Sequence, residues 1–133
     1  MSLPPRISHK QVTRSVVKAE AKKEREAKGH CKLVGILYCC ATMKPGPSDV
    51  HHLMDAGDRG LSYKAAGRYT IPLCREVHSE ITDKPYPEEW LLQKYGVLAR
   101  ELADALWAAS PDPVAMQRVV LRAYQDAQRR KNG

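Results

Sequence analysis

The chain has 133 residues, a length that fits one small domain with tails and a modest apolar core. Phe is absent and aromatic residues make up 6%, so that core must be assembled from Leu, Val, Ile and Ala with a few Tyr and Trp. No apolar run approaches the roughly 20 residues needed to span a bilayer and no signal-peptide pattern opens the chain, so no membrane partner is expected and a cytoplasmic location is.

The net charge of +7 is concentrated at the ends. Residues 1–30 hold eight Lys or Arg against three Glu, residues 118–133 hold five against one Asp, and residues 31–117 hold nine against eleven acidic groups. Basic tails around a near-neutral centre suit a protein that gathers on a polyanion while its centre does something else. The residues expected to contact DNA are Lys18, Lys22, Lys23, Arg25 and Lys28 in the first tail and Arg129, Arg130 and Lys131 in the last.

Three segments follow: a basic arm over 1–30, a core over 31–86 and a helical extension with a basic tail over 87–133. Residues 1–9, with Pro4-Pro5, read as flexible, whereas Gln11 to Lys28 is rich in Ala, Lys and Glu and forms a helix with little to bury. The arm is therefore helical or disordered until it meets a partner. Leu33 to Cys40 is apolar and too short to separate a helix from a strand. Lys44-Pro45-Gly46-Pro47 is a turn, Ser48 to Leu53 a short strand, Asp55 to Gly67 a loop with three glycines, and Tyr69 to Pro72 a second extended piece.

Cys74 to Ile81 contains no breaker and predicts a helix with Cys74 and His78 on one face. Pro87 with Glu88 and Glu89 marks another helix start, and Leu91, Tyr95, Leu98, Leu102 and Leu106 recur at helical spacing straight through Gly96, which predicts one long helix. A last helix begins at Ser110-Pro111-Asp112-Pro113 and carries Val114, Val120, Leu121 and Tyr124. Both stripes are read as core rather than as a partner-binding face.

Four cysteines, Cys31, Cys39, Cys40 and Cys74, form no pair of CxxC motifs, so each is read as a small buried thiol. The histidines are more informative. His51 and His52 are adjacent in an extended segment and point to opposite sides, so one imidazole can hold a metal while the other faces water as a general base. His78 on the following helix can complete the site. His9 and His30, outside this group, are read as polar surface or satisfied core residues.

The order of strand, His51-His52, loop, Ile71-Pro72-Leu73-Cys74 and a helix carrying His78 resembles the HNH endonucleases, also named ββα-metal or His-Me finger nucleases. With Pro47-Ser48 before the histidines and the helical stretch from Trp90 to Trp107, it resembles most a short phage-associated branch linked to recombination, over roughly residues 31 to 107. The resemblance implies an α+β fold: a small ββα-metal core, added C-terminal helices and the basic N-terminal arm. It implies hydrolysis of phosphodiesters in DNA, with a divalent metal, magnesium or manganese, on His51 and His78, His52 as general base, and a recombinase as a further partner.

The chain departs from that family at the structural zinc site that its members often carry. Cys39 and Cys74 match two of the four ligand positions, but Thr42 and Val77 stand at the others, and neither can bind zinc. No conventional structural zinc is expected, with apolar packing by Val77 in its place. Thr82 stands where relatives have a further histidine and Tyr69 where a middle Asn often sits; Asp83, beside Thr82, is an oxygen donor suited to magnesium or manganese. These losses leave an alternative: a catalytically weakened DNA-binding accessory protein of recombination.

Overall fold

The computed structural model describes residues 9–54 and 67–133, with side chains from residue 13 onward. The flexible stretch expected before residue 9, most of the loop expected over 55–67 and the side chain of His9 lie outside the described residues. Among the described residues, five helices and one two-stranded antiparallel sheet make an α+β fold. No helix among the described residues is long and apolar enough to cross a membrane.

The first helix, α1, runs over His9–Val34. Side chains 13–20 are exposed, and full burial begins only at Ala27 and His30, where the helix meets the rest of the chain. Leu33 to Cys40 forms neither a separate helix nor a strand: α1 ends at Val34, and Gly35, Ile36 and Leu37 turn back with N–H bonds to the carbonyls of Cys31, Leu33 and Val34. Gly46 sits so close to this corner that a Cβ would lie 2.7 Å from the Ile36 carbonyl oxygen, so the turn tolerates only glycine there.

Strands β1 (Asp49–His52) and β2 (Thr70–Leu73) pair Asp49 with Leu73, Val50 with Pro72, His51 with Ile71 and His52 with Thr70. Helix α2 (Arg75–Ile81) starts two residues after β2, with Cys74 as its extended N-cap. Helix α3 (Pro87–Tyr95) has Pro at the start and Glu88 and Glu89 in its first turn, where carboxylates complement the helix dipole.

The helix expected to continue through Gly96 breaks there. Gly96 adopts φ 74°, its N–H closes on the carbonyls of Leu91 and Leu92, and a second helix, α4 (Ala99–Ala109), follows. Only glycine enters this left-handed conformation freely, so an apolar period that crosses a glycine reports burial on both sides rather than one axis. Helix α5 (Pro113–Asn132) is capped by Asp112, whose carboxylate accepts the N–H groups of Val114 and Ala115.

One buried cluster joins Val34 and Leu37 to Ile71 and Leu73 of the sheet, Val77 and Ile81 of α2, Leu91 of α3, Leu102 and Leu106 of α4 and Met116 and Val120 of α5. The core stripe of α5 differs from the sequence reading. Val120 is buried as expected, but Val114 and Leu121 are 61% and 44% exposed, and Met116 and Ala127 face inward in their place. Leu91, Leu102 and Leu106 are buried as expected.

Candidate active site

Alternation along β1 sends Asp49 and His51 to one side of the hairpin and Val50 and His52 to the other. His51 is 7% exposed, opposite the buried Ile71, whereas His52 stands at the surface. Because α2 begins directly after β2, His78 lies one turn in, its N–H bonded to the Cys74 carbonyl at 2.9 Å. The two imidazoles of His51 and His78 meet edge to face, with centroids 5.5 Å apart.

Two carboxylates that were not singled out from the sequence join them. Asp49 Oδ2 lies 3.0 Å from His78 Nδ1 and 3.2 Å from Arg75 Nε. Glu88, in the first turn of α3, places Oε1 3.4 Å from His51 Nε2 and also accepts the Met54 N–H. The His51–Glu88 contact is not aligned as a hydrogen bond, and the buried Nε2 has no hydrogen-bond partner among the described residues. The position of Asp49 two residues before His51 is a usable signal, since side chains at that spacing share a strand face. Glu88 reads from sequence only as a helix-start residue; its approach to His51 depends on how α3 packs.

Partial burial lowers the His52 pKa from its ordinary value, and the charges of His51 and His78 lower it further. The ring is therefore held toward its neutral form, the form that takes a proton. Burial works to raise the Glu88 carboxyl, but the His51 ring and the Met54 N–H outweigh it and the net shift is downward. On the side of α2 near Cys74, Lys44 lies 2.8 Å from Glu76 and pulls that exposed carboxyl down to about 2.

The donor set is of the right kind for a divalent cation: two imidazoles and two carboxylates, with one buried imidazole nitrogen unpartnered among the described residues. In this arrangement each imidazole faces a carboxylate, and among the described residues no three His, Cys, Asp or Glu groups converge on one point. Asp83 stands exposed in the turn after α2, and no hydrogen bond or ion pair among the described residues joins it to the histidines.

The half-kept zinc positions do come together. The backbone closes a tight loop through Cys39 N–H to Lys44 O at 2.9 Å and Met43 N–H to Cys39 O at 2.8 Å, with Met43 at φ 60°. Thr42 Oγ1 lies 3.8 Å from Cys74 Sγ. Val77 is 2% exposed in the same apolar cluster as Cys39, Cys40 and Cys74, so apolar packing does occupy the fourth position. Burial raises the thiol pKa of Cys40 strongly and of Cys74 as well. All four cysteines are free thiols, three of them buried.

Lys18, Lys22, Lys23, Arg25 and Lys28 are exposed along α1, with Lys22 4.0 Å from Glu26. Arg129, Arg130 and Lys131 are exposed at the end of α5. Arg129 pairs with Asp126 at 3.2 Å, and Arg130 Nε donates to the Gly96 carbonyl. His30 is not the satisfied histidine expected: it is buried edge-on against Trp107, and neither ring nitrogen has a hydrogen-bond partner among the described residues.

The profile of a family described as "Protein of unknown function (DUF968)" matches residues 10–108, and the chain belongs to that family. No curated protein and no solved structure matches the chain.

Proposed function

We propose that this member of the DUF968 family is a metal-dependent DNA endonuclease or nickase of the HNH kind, hydrolysing phosphodiester bonds. The observation that carries the reading is the hairpin running directly into α2, which sets His51 and His78 5.5 Å apart and turns His52 outward to the surface. His52, held toward its neutral form, accepts the proton of the attacking water. His51 and His78, with Asp49 and Glu88 beside them, are the groups that would hold magnesium or manganese. When bound there, the cation supplies charge stabilisation to the phosphate and the departing oxygen.

Asp49 accepts from His78 Nδ1, which leaves Nε2 as the nitrogen free to ligate. The cationic side chains of α1 and of the end of α5 hold DNA through its phosphates. The setting in phage or mobile-element recombination, and a recombinase partner, rest on the sequence resemblance alone.

A second reading, a DNA-binding accessory protein with a decayed site, is favoured by one observation: no three ligand groups converge among the described residues. Nicking of supercoiled plasmid across several divalent metals, comparing the native chain with His52→Ala, separates the two. Metal-dependent nicking that His52→Ala abolishes supports the nuclease; salt-sensitive binding with no cleavage in any metal supports the accessory protein.

A further inference from the structure

We propose that Arg68, Tyr69 and Arg100 form a phosphate clamp for a nucleic-acid strand at the His52 end of the hairpin. The proposal deepens the nucleic-acid reading above and rests on it. Its position follows from the register. Tyr69 is one residue from Thr70, the strand partner of His52, and its carbonyl accepts the N–H of Leu53, the residue after His52.

Two cations converge on this point from different elements. The Arg68 guanidinium carbon lies 4.9 Å from the Tyr69 ring centroid and the Arg100 carbon, from the first turn of α4, 4.4 Å from the same centroid. Arg68 also lies 5.5 Å from the Trp107 ring, so its guanidinium is held against two aromatic faces. Holding an arginine this way removes much of the side-chain freedom that binding would otherwise cost.

Among the described residues, the one carboxylate paired with this cluster is Asp104. Two guanidinium groups gathered at one ring repel each other unless an anion lies between or beside them. Among the described residues Arg68 has no carboxylate partner, and its buried Nε has no hydrogen-bond partner. Arg100 meets Asp104 at 3.5 Å, but both side chains are about half exposed and one turn apart, a pairing that water and salt weaken. The fork of a guanidinium matches a phosphate in two parallel bonds. A phosphodiester strand supplies such anions at regular spacing, and one held here passes the end of the hairpin that carries His52.

The test is a fluorescence-anisotropy titration of labelled duplex and single-stranded DNA over a salt series, in chelator and without added metal. Arg68→Gln with Arg100→Gln is expected to weaken binding on the order of tenfold or more and to reduce the slope of log affinity against log salt by about two. Because Arg68 packs on Trp107, the double variant is accompanied by Arg100→Gln alone, an exposed change expected to reduce the slope by about one. Unchanged affinity and slope in the folded Arg100→Gln chain would overturn the clamp. Since no metal is present, the titration reads binding alone: a chain that binds as expected here but fails to nick plasmid in every divalent metal overturns the nuclease reading and leaves the clamp standing.

Discussion

Asp49 Oδ2 stands 3.0 Å from His78 Nδ1, so the strand that carries the histidine pair also positions the third histidine on the helix. An imidazole bonded at one nitrogen presents the other in a fixed direction, which is what a ligand must do. Asp49→Ala is expected to lower metal-dependent cleavage by about 10- to 100-fold, with Asp49→Asn retaining more. Arg75→Gln, which removes the other contact of Asp49, controls for loss of that ion pair. Equal cleavage rates for Asp49→Ala and the native chain would show that Asp49 does not position His78.

The proposed nuclease activity carries a pH dependence of definite sign. A general base works when neutral, and the His52 pKa lies below its ordinary value, burial being the main cause and the neighbouring histidine charges the next. The acidic limb of the rate profile should therefore fall below the usual histidine range of about 6.5. Single-turnover rates against pH measure this directly. His52→Ala is expected to lose roughly 10²- to 10⁴-fold in rate and to lose that limb.

Thr42 and Val77 carry the next expectation, which tests whether the loop still has the shape of a zinc site. Thr42 Oγ1 is 3.8 Å from Cys74 Sγ, and Val77 is buried beside Cys39 and Cys74. Thr42→Cys with Val77→Cys supplies four thiols, the number a closed tetrahedral site takes. The double variant should bind one zinc per chain by elemental analysis and melt at a higher temperature with zinc than with chelator. Val77→Ala alone, which only deletes buried methyl groups, should cost about 2 kcal/mol in urea unfolding.

The hairpin and α2 were legible because their signals are local: alternation about His51-His52, a Pro-Gly turn before them, and an unbroken stretch after Cys74. The carboxylates of the site were not. Nothing in the residues around Glu88 distinguishes a helix-start carboxylate from one that reaches His51, because the difference lies in where α3 packs. The same limit explains α5. Val114 and Leu121 are seven apart and share one face of the helix, yet the buried face is set by Met116, Val120 and Ala127. Arg68 and Arg100 are 32 residues apart, and only the fold brings them to one ring.

Gly96 is the position where misreading the sequence has a measurable counterpart. Its φ of 74° is one that residues with a Cβ enter at a cost, and a Cβ would lie 2.5 Å from the Ala127 carbonyl oxygen on α5. Gly96→Ala should therefore destabilise the chain by about 2 kcal/mol or more, combining the left-handed penalty with displacement of α5. Urea unfolding followed by circular dichroism provides the measurement. A neutral effect would mean that α3 and α4 can join into the single helix their apolar spacing suggests.

His30 provides a stability prediction independent of any activity. Burial lowers its pKa from the ordinary value, and both of its ring nitrogens are buried against Trp107 and the core without hydrogen-bond partners among the described residues. The folded state thus binds the His30 proton more weakly than the unfolded chain does. Its contribution to stability is fully present above the unfolded pKa, near 6.5, and is lost as pH falls from there through the lowered folded value. His30→Leu removes both the titration and the two unsatisfied nitrogens while keeping an apolar side chain of similar reach, so it should match or exceed the native stability at neutral pH. The gap should widen in its favour as the pH is lowered from 7 to 5. Parallel unfolding curves for the two chains across that range would show that His30 is solvated or partnered in solution and does not carry the acid sensitivity.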